Sequence, residues 1–213
     1  MKQKLLLSAS AAAICLSVAG AALAGPAITL VTPGLEYSST PYTLGFSFQV
    51  DAPTTITQLG VYDDLGDGLT NVASVGLWAT DGTLLRSTTV PAGGSGTLVG
   101  LFRYAAITAF DAAPGVTYVI GAYLRDDIAS SLGTGQGGTG SVDPNVNIVQ
   151  DRYSNFDSAF SFPTQSDGFA GGAWLGANFI TGTVPVPEPA SLALFGTGLL
   201  GFGFIRRRSR WTD

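Results

Sequence analysis

Tyr42-Thr43-Leu44-Gly45-Phe46-Ser47-Phe48-Gln49-Val50 sets five large apolar side chains at every second position, with small or polar residues between them. A strand turns successive side chains to opposite faces. This period of two therefore predicts a strand with Tyr42, Leu44, Phe46, Phe48 and Val50 on the core side. No stretch between 25 and 185 has a convincing helical period.

The same reading extends downstream. Segment 55–62 is β-rich and carries Ile56, Leu59 and Val61, and 74–80 alternates through Val75, Leu77 and Ala79. Asp81-Gly82 then precedes another β-rich run at 83–90, a strong hairpin signal. Segment 101–108 follows a Gly-rich turn, and 116–124 follows the turn pair Pro114-Gly115. Weaker strands are expected at 146–150, 159–162 and 174–181, and a Gly/Thr-rich mobile loop at 132–140. Eight to ten short strands joined by turns predict an all-β, antiparallel β-sandwich, jelly-roll-like, over residues 25–183.

Both ends differ from this middle. Lys2 and Lys4 precede an uncharged Leu/Ala-rich run at 5–23, and Ala22-Leu23-Ala24 is a small-x-small site followed by Gly25-Pro26. That order reads as a signal peptide at 1–24, cleaved at Ala22 and Ala24 by signal peptidase after Sec export. At the other end, three prolines in 184–189 exclude helix and central strand and read as an extended linker. Residues 190–205 carry no charge, and the tail 206–213 holds Arg206, Arg207, Arg208 and Arg210. Sixteen helical residues span roughly 24 Å, short of the ~30 Å hydrocarbon core, so a transmembrane helix here is marginal as a permanent anchor. Arginines stay cytoplasmic by the positive-inside rule, which places the sandwich outside, in agreement with the signal peptide.

Val-Pro-Glu-Pro at 186–189, the run Ala-Ser-Leu-Ala-Leu-Phe-Gly-Thr-Gly-Leu-Leu-Gly and the closing arginines together resemble the PEP-CTERM sorting family. The resemblance implies Gram-negative export, a transient inner-membrane tether with the domain outside the cytoplasm, and exosortase as a partner. Such proteins are often linked to exopolysaccharide. It places recognition on Pro187, Glu188 and Pro189 and the stop signal on Arg206, Arg207, Arg208 and Arg210. The strings at 59–69, 75–85, 102–104 and 115–123 resemble an uncharacterised β-sandwich domain that recurs in such proteins. That likeness implies a fold and no activity.

Residues 25–189 hold fourteen carboxylates against Arg86, Arg103, Arg125 and Arg152, a net charge of −10 that the terminal basic residues reduce to −5 over the whole chain. Such a surface excludes nucleic acid as a partner, because phosphate binding needs cations. The same span has no His, Lys or Cys. Common zinc sites, His-dependent triads and Schiff-base lysines are thereby excluded, and no disulfide supports the fold. Acid–base chemistry would rest on carboxylates or Tyr, and no pair stands out, so no catalytic residue and no enzyme is expected.

Two constellations remain. Asp63, Asp64 and Asp67 sit among glycines and form a weak Ca²⁺ candidate, with Asp126 and Asp127 as further ligands if the loops share a rim. Set on an EF-hand loop, Leu65 and Ser74 fall where ligands belong, so an acidic turn is the competing reading. Trp78, Trp174 and several tyrosines could stack on sugars as a carbohydrate-binding surface, or could fill the core. Trp78 lies on the face opposite Val75 and Leu77, which favours exposure. Arg103, between Phe102 and Tyr104, is expected to be solvated or salt-bridged.

Overall fold

The computed structural model describes residues 24–38, 42–133, 137–156 and 158–182. The signal segment with Ala22, and the sorting segment with Pro187, Glu188, Pro189, Arg206, Arg207, Arg208 and Arg210, lie outside the described residues, as do both expected terminal helices. Ala24 is described and exposed, one residue ahead of the first strand. Among the described residues no helix is long and apolar enough to cross a membrane.

Fifteen strands follow in chain order: β1 Gly25–Pro26, β2 Ile28–Thr32, β3 Tyr37–Ser38, β4 Leu44–Val50, β5 Thr54–Tyr62, β6 Ala73–Ala79, β7 Leu84–Val90, β8 Thr97–Val99, β9 Phe102–Ala112, β10 Tyr118–Tyr123, β11 Ile128–Leu132, β12 Thr139–Val142, β13 Val146–Tyr153, β14 Ala173–Leu175 and β15 Ala177–Gly182. One sheet runs β1-β15-β5-β9-β8 and the other β13-β4-β10-β6-β7, all antiparallel. Two small sheets, β14-β11-β3 and β12-β2, complete the fold. The strands outnumber the eight to ten expected, and the five-plus-five order departs from an eight-stranded jelly roll. Segment 159–162 is not a strand, whereas Thr139 and Gly140, expected in a loop, begin β12.

Phe46, Phe48, Leu77, Ile120, Ile56, Leu59 and Phe179 are at most 1% exposed and fill the space between the two large sheets. Phe48 meets Phe179 across that space with ring centroids 4.6 Å apart. Each such side chain contributes about 2 kcal/mol by leaving water. Between Ile56 and Gln58 the register to β15 slips by one residue. The bulge lets Ile56 and Leu59, an odd number of residues apart, both face inward.

The outer face of β4 is also covered. Gly45, Gly121 and Gly76 stand side by side in three paired strands, a row with no side chains. The chain after β13 lies across this row. Phe160 approaches Gly76, Pro163 approaches Gly121, and Thr43 Oγ1 bonds Ala159 O and Ser161 N. Trp78 folds back over Gly76 and packs on Phe160 and Phe162 at 5.2 and 6.1 Å. It is on the outer face as its position in the alternation predicts, yet only 4% exposed, so it is no exposed stacking platform.

Chain registers give the sandwich two distinct rims. Gly25 pairs with Thr181 and Gly182 pairs with Thr55, so the first and last described strands end together at one rim. The other end of β15 lies beside Leu44, and Tyr62 N donates to Gly176 O there. The strand between the rims spans roughly 20 Å.

Candidate functional site

The rim far from Gly25 and Gly182 holds two clefts. In the first, Asp63 follows β5 and its backbone leads into a 3-10 turn at Asp64–Gly66. Leu65, Gly66 and Gly68 have positive φ there. Asp63 is 2% exposed, and its Oδ1 accepts from Gly68 N at 3.1 Å while Oδ2 pairs with Arg103 Nε. Arg103, 5% exposed, also donates to the carbonyls of Gly94, Gly96 and Gly66. Of the two states expected for Arg103, the salt-bridged one is found; the pair is buried, and Arg103 joins two loops.

Asp126 and Asp127 do meet this loop at one rim. A cleft of about 210 Å³ is lined by Asp64, Asp67, Asp126 and Asp127 together with Asp63. Asp127 accepts from the backbone N–H of Thr70 and Asn71, and Asp126 from Asn71 Nδ2. Much of this carboxylate capacity caps local backbone. Among the described residues no three His, Cys, Asp or Glu side chains form a group suited to holding a metal. Beneath the loop, burial first, then the Asp64 and Glu36 charges, push the Tyr62 hydroxyl from 10.0 to about 12. Burial shifts Tyr104 in the same direction. A raised folded-state pKa means the folded state keeps its proton where the unfolded chain loses it. The associated stability is whole below pH 10 and is lost as pH rises through about 12. Thermal melts should therefore show a midpoint that falls between pH 10 and about 12, with a smaller fall in Tyr62→Phe. An unchanged slope in that variant would refute the assignment to Tyr62.

The second cleft has a volume of about 630 Å³ and is mainly aromatic. Its residues come from distant parts of the chain. Tyr37 is on β3, Tyr42 precedes β4, Tyr153 ends β13, Trp174 is on β14, and Asp167 and Phe169 lie between those two strands. Tyr37 meets Trp174 edge-on at 4.7 Å and 88°, and Phe169 meets it at 6.4 Å and 81°. Tyr42 and Tyr153 form a third perpendicular pair at 6.0 Å. The rings thus make walls and floor rather than one flat platform. The Trp174 Nε1–H is buried and without a hydrogen-bond partner among the described residues.

One buried carboxylate arranges the polar side of this cleft. Asp151 is 1% exposed and accepts from Ser166 Oγ at 3.0 Å, Asp167 N at 2.7 Å and Phe169 N at 2.9 Å. These bonds hold Asp167 and Phe169 at the cleft. The Asp167 carboxylate lies near the Tyr153 hydroxyl, whose pKa is raised by burial first and then by the Asp167 charge. Of the two tryptophans named from the sequence, only Trp174 belongs here. Asp151 and Phe169 carried no local signal, because their role depends on contacts between strands.

Residues 31–175 match the model for a domain of unknown function, DUF4082. Residues 185–208 match the PEP-CTERM protein-sorting motif. That motif implies export, surface or membrane association, and recognition by an exosortase. The match takes in Pro187, Glu188, Pro189 and the first three arginines of the tail. None of the curated proteins matches the chain.

Proposed function

This chain belongs to the DUF4082 family and carries a PEP-CTERM protein-sorting motif behind that domain, and we propose that it is a non-catalytic protein of the cell surface or extracellular matrix. In this reading Sec and signal peptidase act at 1–24, and the sandwich is held for a time outside the inner membrane by 190–205. Exosortase then processes the tether. The observation that carries the proposal is the sorting motif joined to a domain without His, Lys or Cys. Glu188→Ala is expected to leave unprocessed, membrane-associated precursor, read by immunoblot of cell fractions. Processing at the parent rate would overturn the sorting role of Glu188.

A second reading, a carbohydrate-binding module for exopolysaccharide, draws support from the aromatic cleft around Trp174. A hydrolase built on two carboxylates is the least supported reading. Among the described residues Asp167 is the one carboxylate lining the aromatic cleft, and Asp63 is consumed by Arg103.

A further inference from the structure

We propose that the aromatic cleft is a binding site for neutral pyranose units of a polysaccharide, on the rim opposite Gly182, where the described chain ends. The inference rests on the carbohydrate-binding reading and names its site. Three independent features converge. First, Tyr37 and Phe169 each stand nearly perpendicular to Trp174, and Tyr42 lines the same cleft. Sugar rings carry apolar C–H faces that pack on such surfaces. The volume of about 630 Å³ lies in the usual range of small-molecule sites.

Second, the polar groups are few and complementary to hydroxyls. The Trp174 Nε1–H is a buried donor without a partner among the described residues, and leaving such a group unsatisfied is costly. Asp167 is exposed and offers an acceptor beside the Tyr153 hydroxyl, a pair suited to vicinal hydroxyl groups. Charge narrows the ligand further. Among the described residues the cleft is lined by a carboxylate and no cation, and the span 25–189 carries −10. An anionic polysaccharide would be repelled.

Third, placement separates the cleft from the end of the described chain. Leu44, Tyr153 and Trp174 lie at the rim opposite Gly25 and Gly182. The sorting segment begins just beyond Gly182 in sequence. The cleft lies roughly 20 Å of strand away from Gly182, the last described residue.

The test is affinity electrophoresis of the full chain in mild detergent, through gels cast with dextran, galactomannan, hydroxyethyl cellulose or alginate. Retardation by at least one neutral polymer is expected, and none by alginate. Tyr37→Ala and Asp167→Ala, both at exposed positions, should each weaken retardation roughly ten-fold without changing the melting temperature. Retardation that persists unchanged in folded variants would overturn the site assignment while leaving the carbohydrate reading intact. No retardation by any neutral polymer would overturn both. Retardation by alginate alone, or displacement of the neutral polymer by an apolar dye, would overturn the ligand class.

Discussion

Replacing Asp63 by asparagine is expected to destabilise the domain by about 3–5 kcal/mol, because it leaves the Arg103 guanidinium buried without its counter-ion. In a domain of this size that loss lowers the melting midpoint by roughly 10 °C. The amide keeps an acceptor for Gly68 N, so the variant isolates the charge from the local hydrogen bond. Asp63→Leu combined with Arg103→Met should recover only part of the loss. Arg103 also holds the carbonyls of Gly66, Gly94 and Gly96, which methionine cannot do. The melts should be run in calcium and in chelator. An equal loss in both shows that the ion pair, rather than a bound ion, is the source. A shift of under 2 °C would sink the argument.

Gly45→Ala should prevent a cooperatively folded domain altogether. A Cβ at position 45 would lie 1.9 Å from Ile120 O and 2.7 Å from Gly121 Cα, both backbone atoms of the paired strand β10. Those atoms cannot move without breaking the β4–β10 ladder, so the cost exceeds the usual ~1–3 kcal/mol of overpacking. Gly76→Ala is the informative contrast. Its Cβ meets the ring ends of Trp78 and Phe160 at 2.7 and 2.8 Å, and side-chain tips can shift. That variant should stay folded with a lower melting midpoint and a more exposed Trp78, read from tryptophan emission. Native-like melting of Gly45→Ala would contradict the strand spacing described for this face.

Particular residues show where sequence reasoning reached and where it stopped. Alternation at 42–50 correctly placed Phe46, Phe48 and Val50 in the core, because side-chain direction in a strand is a local property. The same alternation put Trp78 on the outer face. It carried no information about what lies over that face, and the Phe160–Phe162 region covers it more than eighty residues later. Short strands such as β1, β3 and β12 had no usable period at two to four residues. They exist because partners at Thr181, Ala129 and Leu30 offer backbone hydrogen bonds.

The acidic rim makes the same point electrostatically. Glycines and aspartates at 63–68 announced a turn, and its three carboxylates do converge with Asp126 and Asp127. Which of them is free was not legible. Arg103, forty residues away, occupies Asp63, and Asp127 caps the backbone at Thr70 and Asn71. The aromatic cleft grew from residues as distant as Tyr37 and Trp174.

By itself the sequence determined the strand class, the acidic character of the domain, the absence of His, Lys and Cys chemistry, and the sorting signal at the C-terminal end. Each is local: a period of two, a charge count, or a short motif read in order. Only the tertiary structure decided which rim holds the clefts, that Trp78 is covered, and that Trp174 stands in an aromatic cleft with an unsatisfied donor. Those properties depend on pairing between strands far apart in the chain, where burial and charge compensation are set by neighbours that no local pattern names.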